Sequence, residues 1–208
     1  MTGKRSPRRR SWYAASAAAF RWLHIYLSML GFASLMFFAF TGITLNHPAW
    51  LGGSKQSVRD SKGKVDKGLL GDPSQKRKVD KLEIAESLRS EQRLRGRVTE
   101  FRVDEFECMV VFKGPGYSAD VFIDVETGAY TVTETSSSVM AVLNDLHKGR
   151  DSGVGWSWVI DVSAVLMMLI SLSGFGLLFY IRRRRTTGLV TALIGTVVLF
   201  VAWAIWVP

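Results

Sequence analysis

Cysteine is nearly missing from this chain: Cys108 is the only one in 208 residues, so neither an intrachain disulfide nor a thiolate metal cluster can form. Histidine is almost as scarce, with His24, His47 and His147 making up the set. The chain has no Gly-x-Ser-x-Gly, no P-loop, no His-Glu-x-x-His and no Rossmann glycine pattern, which leaves those hydrolase, nucleotide-binding and zinc-peptidase chemistries without a signature. Cys-x-x-Cys-His is also absent, so a haem could not be attached covalently.

Charge is missing in long stretches. Trp22–Asn46 carries none, nor do Val162–Tyr180 and Leu189–Val207. About 20 apolar residues cross the hydrocarbon core, and these runs lack the alternation of a barrel strand. Three transmembrane helices are therefore expected, over residues 22–47, 156–181 and 188–207. The segment SWYAASAAAF before them resembles a signal peptide, but Arg21 interrupts it and a full span follows, so an uncleaved anchor is expected. Residues 12–20 either prolong the first helix or lie along the membrane surface.

The net charge of +9 first suggests nucleic acid, but its location argues otherwise. Lys4, Arg5, Arg8, Arg9, Arg10, Arg21 and Arg182–Arg185 flank helix ends with no acidic residue beside them, while residues 55–151 hold 17 basic and 17 acidic side chains and balance out. The excess is a topology signal. By the positive-inside rule the tail 1–21 and the turn 182–187 face the cytoplasm, and the intervening domain and the C-terminus face the periplasm of a bacterial inner membrane. Trp50, Trp156, Trp158, Trp203 and Trp206 would then form an outer aromatic belt, with Trp22 at the inner face. The lipid bilayer is the implied partner, and nucleic acid is not.

Residues 48–78, rich in Gly, Ser, Lys and Asp, read as an exposed linker, and a folded domain is expected over 79–150. Leu82, Ile84, Ala85 and Leu88 have helical spacing. Strands are expected at Val98–Asp104, Glu107–Lys113 and Tyr117–Asp124, with a further short strand in VETGAYTVTE. A second helix should start on Ser136 and run to His147. Phe106, Cys108, Val110 and Phe112 share one strand face, which makes Cys108 a buried, inert thiol.

Several segments together resemble one family: TGITLNHP closing the first span, GPGYSADVFIDVETGAY in the small domain, NDLHKGRDSGVGWSWVIDVS leading into the second span, and SGFGLL before the basic stop. The chain is similar to PepSY-associated transmembrane proteins. The resemblance implies a bundle of three transmembrane helices with a small extracytoplasmic α+β domain, PepSY-like, made of helix and antiparallel sheet. Larger relatives with this architecture, ferrisiderophore reductases among them, have more membrane helices and more histidines, so their activity does not transfer whole.

All three histidines fall at expected helix ends. His47 and His147 come to the same interface by topology, where two neutral nitrogens could hold a b-type haem as axial ligands of its iron. His24 lies 23 residues before His47, about 34 Å along a helix, and could join a haem only through a homodimer. Two other readings stand beside this one. The imidazoles either serve structural roles at helix ends, or hold a non-haem metal together with Asp145 or Asp151. Asn144, Asp145, Arg150 and Asp151 either orient His147 and bind an anionic group or form a solvated turn. Gly42, Gly174 and Gly176 are candidates for close approach of a helix or a porphyrin edge. Asp161 is expected to cap the second span. Functionally, the chain reads as a haem-binding electron-transfer component with a periplasmic redox partner. The alternative is a non-redox interaction or assembly protein whose domain binds a periplasmic protein.

Overall fold

A computed structural model of the protein describes residues 7–71 and 79–208, so residues 1–6 of the expected tail and 72–78 of the expected linker lie outside the described residues. Three helices are long and apolar enough to cross a membrane. They are α1 (Pro7–Asn46), α4 (Gly153–Leu178) and α5 (Arg185–Trp206). Helix α1 begins well before residue 22, because the alanine-rich stretch ahead of Arg21 is made of strong helix formers. It ends two residues short of Pro48, which disfavours helical geometry in the residue before it. The third helix also starts earlier than expected, since Arg182–Arg184 form a single 3-10 turn that leads directly into α5.

The chain divides into two compact units. The first comprises the chain up to Met36 and the segment from Asp161 onward. Within it α1 meets α4 at Gly31, where a Cβ would lie 2.8 Å from the Ile170 side chain. The bare backbone there lets the Ile170 side chain lie against α1. The rings of Tyr13 and Tyr180 add a tilted contact at 5.1 Å.

The second unit spans Phe37–Ile160 and contains a five-stranded antiparallel sheet in the order β1-β5-β4-β3-β2. Its strands are β1 (Gln56–Lys64), β2 (Arg97–Val103), β3 (Glu107–Gly114), β4 (Tyr117–Asp124) and β5 (Ala129–Ser137). Helix α2 (Lys81–Gln92) starts on Asp80, whose carboxylate accepts the Glu83 amide, and ends on Arg93 in the left-handed region. Its apolar stripe of Ile84, Ala85 and Leu88 is buried with Cys108, Val110, Phe112, Val121, Ile123 and Val132 of the sheet. The pattern follows from the period-2 alternation of the strands meeting the 3.6-residue period of the helix. Helix α3 (Val139–Lys148) follows β5. Ser138 caps it by accepting the Ala141 amide, and Gly149 closes it in the left-handed region at φ 69°.

Residues 48–78 are not simply a linker. Gln56–Lys64 pair along their whole length with β5, and Val65 and Leu70 are buried in the core. The sequence QSVRDSKGK hides this because an edge strand solvated on both faces has no hydrophobic alternation to read, and its lysines and arginine suit an edge that must not recruit another strand. Helix α3 is capped by Ser138 and not Ser136, since β5 extends through Ser137. Phe106 precedes β3 and is exposed, apart from the buried face of Cys108, Val110 and Phe112. Asp161 does not cap a helix: α4 begins eight residues earlier, at Gly153.

Burial pushes the Cys108 thiol from 9.0 up to about 11, with Lys81 opposing and Glu107 assisting. At neutral pH it is protonated and inert. Iodoacetamide at pH 8 should leave the native protein unlabelled and label it only after denaturation. Leu88→Ala should destabilise the sheet unit by about 2–5 kcal/mol and Val58→Ala, on the exposed edge, by less than about 0.5 kcal/mol, as read from thermal unfolding of the intact protein in detergent.

Candidate functional site

Within the second unit, the C-terminal end of α1 faces α3 through hydroxyl groups. Thr41 and Thr44 are one turn apart on α1 and both are buried. Thr44 Oγ1 donates to Asn144 Oδ1 at 2.7 Å, and Thr41 Oγ1 lies 2.6 Å from Nδ1 of His147, one turn further along α3. The i, i+3 spacing on both helices makes two parallel bridges from one helix face to the other.

Thr41 meets His147 through its hydroxyl. Thr41 Oγ1 has one proton and two acceptors in reach, the Phe37 carbonyl at 2.7 Å, four residues back on its own helix, and His147 Nδ1 at 2.6 Å. With the proton on the Phe37 carbonyl, Oγ1 accepts from His147 Nδ1–H and Nε2 keeps its lone pair. The ring is half-buried, meets Phe38 edge-on at 5.2 Å and lies beside Gly42, where a Cβ would come within 3.7 Å of its Cε1. Phe37 in turn meets Trp156 edge-on at 6.1 Å, and the Trp156 indole donates to the Leu146 carbonyl at 2.7 Å. An oriented imidazole thus sits against the edge of Phe38.

His47 has a different setting. It follows the last residue of α1, is exposed, and stacks on Trp50 at 3.9 Å with the rings 8° from parallel. The ring contacts of His47 and of His147 have no residue in common. Neither nitrogen of His47 has a hydrogen-bond partner among the described residues.

The acidic residues near His147 serve the backbone. Asp145 Oδ2 accepts the Gly116 amide at 2.9 Å, tying α3 to the β3–β4 turn, and Asp151 takes a left-handed conformation at φ 53°. Among the described residues no three of His, Cys, Asp and Glu converge to hold a metal ion. The non-haem arrangement with Asp145 or Asp151 is therefore not assembled.

His24 belongs to the first unit, where its Nδ1 lies 2.9 Å from Ser173 Oγ and 3.2 Å from the Ile170 carbonyl of α4. Gly174 gives the ring room. Thr41, Thr44 and Ser173 escape sequence reading because a hydroxyl within an apolar helix is usual, and only its partner reveals its use.

The chain belongs to a family of membrane proteins. The model of the family described as Putative PepSY_TM-like matches residues 18–208, which include all three apolar helices and the sheet. No curated protein and no solved structure matches the chain.

If Thr41 sets the tautomer, Thr41→Val should free it. Nitrogen NMR of histidine-labelled protein should show His147 in the Nδ1–H form in the parent and a mixture of both tautomers in the variant. An unchanged His147 signal would refute the assignment.

Proposed function

We propose that this PepSY_TM-like protein is a haem-binding electron-transfer component of the bacterial inner membrane, with His147 and His47 as the residues that would hold a b-type haem. The observation that carries the reading is the Thr41–His147 bond. A ligating histidine needs its second nitrogen held by an acceptor and its first free as a neutral donor, which is the state this bond has when His147 Nδ1 donates to Thr41 Oγ1. The donors are two imidazoles that share no contact among the described residues: His147, with Nδ1 on Thr41 and its ring edge-on to Phe38, and His47, stacked on Trp50 with two nitrogens that have no partner among the described residues. When bound, the haem supplies a one-electron couple. The chain's own residues would orient the donors: Thr41 meets His147 Nδ1, Phe38 lies edge-on to the His147 ring and Trp50 stacks on the His47 ring. The positive-inside asymmetry puts the N-terminal tail and the Arg182–Arg185 turn in the cytoplasm, which leaves the sheet unit and this site on the periplasmic side, facing a periplasmic redox partner.

A second reading, a non-redox interaction or assembly protein, is favoured by a different feature of the sheet unit. Ser57, Arg59, Arg93, Arg95, Glu134 and Ser136 line an open cleft of about 330 Å³. Glu134 is engaged by Arg59 and by the Tyr117 hydroxyl, and Arg95 lies over the Tyr117 ring. Three guanidinium groups against one carboxylate favour an acidic partner segment.

The visible spectrum separates the two. Protein from haem-replete cells, purified in mild detergent, should show a Soret band and sharp reduced bands. His147→Ala should lose that signal, and His47→Ala should convert it from six- to five-coordinate. A folded, colourless protein that captures periplasmic proteins through Arg93 and Arg95 would establish the second reading instead.

A further inference from the structure

Charge without a counter-charge gathers in the first unit, at the turn between α4 and α5. Arg182–Arg184 form the 3-10 turn and Arg185 opens α5, so four guanidinium groups follow one another between two apolar helices. All four residues are exposed, and among the described residues none of them pairs with a carboxylate. The unit itself has one acidic side chain, Asp161, which lies 17 residues before Leu178 at the end of α4, about 26 Å away along the helix. The sheet unit differs, since its basic and acidic residues balance. Like charges in consecutive positions repel one another, so an anion brought among them is attracted by all four.

The neighbours of the turn are those of a headgroup layer. The Tyr13 hydroxyl of α1 donates to the Tyr180 carbonyl at 3.4 Å and Phe20 tilts against the Tyr180 ring at 5.6 Å, so α1 is tied to the same end of the unit. Trp12 and Tyr13, both exposed, are the amphipathic rings that collect where hydrocarbon meets water. The Arg185 guanidinium lies 5.1 Å from the centre of the Phe179 ring, which covers one face of the group and leaves its N–H edges for an acceptor. Such an edge matches two phosphate oxygens at once. We propose that the Arg182–Arg185 turn binds the phosphate of anionic phospholipids, with the acyl chains along the exposed apolar faces of α4 and α5. A lipid is the occupant because apolar spans flank the turn on both sides, and a basic cluster beside a span is drawn to the negative surface of anionic lipid. The site needs neither the haem nor a particular side of the membrane.

The experiment uses the full chain in mild detergent, where native mass spectrometry counts the lipid bound after addition of phosphatidylglycerol or of phosphatidylcholine with the same acyl chains. Parent protein should favour phosphatidylglycerol by about tenfold or more. Arg182→Gln, Arg183→Gln, Arg184→Gln and Arg185→Gln together should abolish that preference. Arg183→Gln with Arg184→Gln, which keeps the rest of the cluster and so the better chance of a folded protein, should reduce it by about threefold or more. Lys62→Gln, Lys64→Gln, Arg97→Gln and Lys113→Gln together remove the same charge from exposed positions of the sheet unit and should leave the preference as it was. Unfolding temperatures in the same detergent show which variants are folded. Equal binding of the two lipids by the parent protein would overturn the proposal. An equal loss in the sheet-unit variant would do so as well, by making net charge the cause. If inorganic phosphate in millimolar excess displaces phosphatidylglycerol completely, the occupant is a free anion and the lipid assignment falls.

Discussion

A hydroxyl on a membrane helix has one proton to give, and where it gives it decides what its oxygen can do next. Thr41 and Ser173 each lie within reach of a carbonyl on their own helix and of an imidazole Nδ1 from elsewhere in the chain. Where the proton goes to the carbonyl, the oxygen becomes an acceptor that in an apolar medium must be met, and the imidazole N–H is there to meet it. The bond contributes only about 1 kcal/mol net, whereas leaving either partner unmet costs about 1–3 kcal/mol. Its effect is therefore one of orientation more than of stability: it selects one tautomer, and with it the nitrogen that stays available.

Holding His147 in place also requires the sheet. A helix of ten residues is too short to be stable alone, and α3 is fastened at several points within its unit. Its cap residue Ser138 donates its amide to the Lys55 carbonyl and its hydroxyl to the Gly53 carbonyl. Ser137 reaches the Gly116 carbonyl, and Asp145 returns to the Gly116 amide, so the β3–β4 turn grips the start and the middle of the segment. Gly116 lies in the left-handed region at φ 64°, and a Cβ there would press on Val142 at 2.5 Å, so the turn needs a glycine to come so near the helix. The sheet thus acts as the rigid base that sets where α3 places its histidine.

How much of this was legible follows from which forces leave a periodic trace. Charge-free runs announce the membrane helices because the bilayer imposes a length and a composition. Strands β3 and β4 alternate because one face is buried, and α2 shows its stripe for the same reason. Strand β1 does not alternate, being held by backbone pairing to β5 while nearly all its side chains stay in water, so its polarity reads as linker. At the candidate site, the histidines stood out by scarcity, but their neighbours did not. That His147 would meet Thr41, 106 residues away, is a tertiary fact with no local signature. Nor does spacing show that His47 turns to Trp50.

The unequal settings of His47 and His147 bear on how a shared ligand would be held. His147 is already ordered by a hydrogen bond and an aromatic wall, so little side-chain freedom remains to be lost when its Nε2 is engaged. An exposed side chain without such contacts loses about 0.5–1.5 kcal/mol on being immobilised. The flat stack on Trp50 removes part of that cost for His47, because a ring resting on an indole has already given up much of its motion while both nitrogens stay open at its edge. On the haem reading, His147 supplies the fixed reference and His47 the adjustable side.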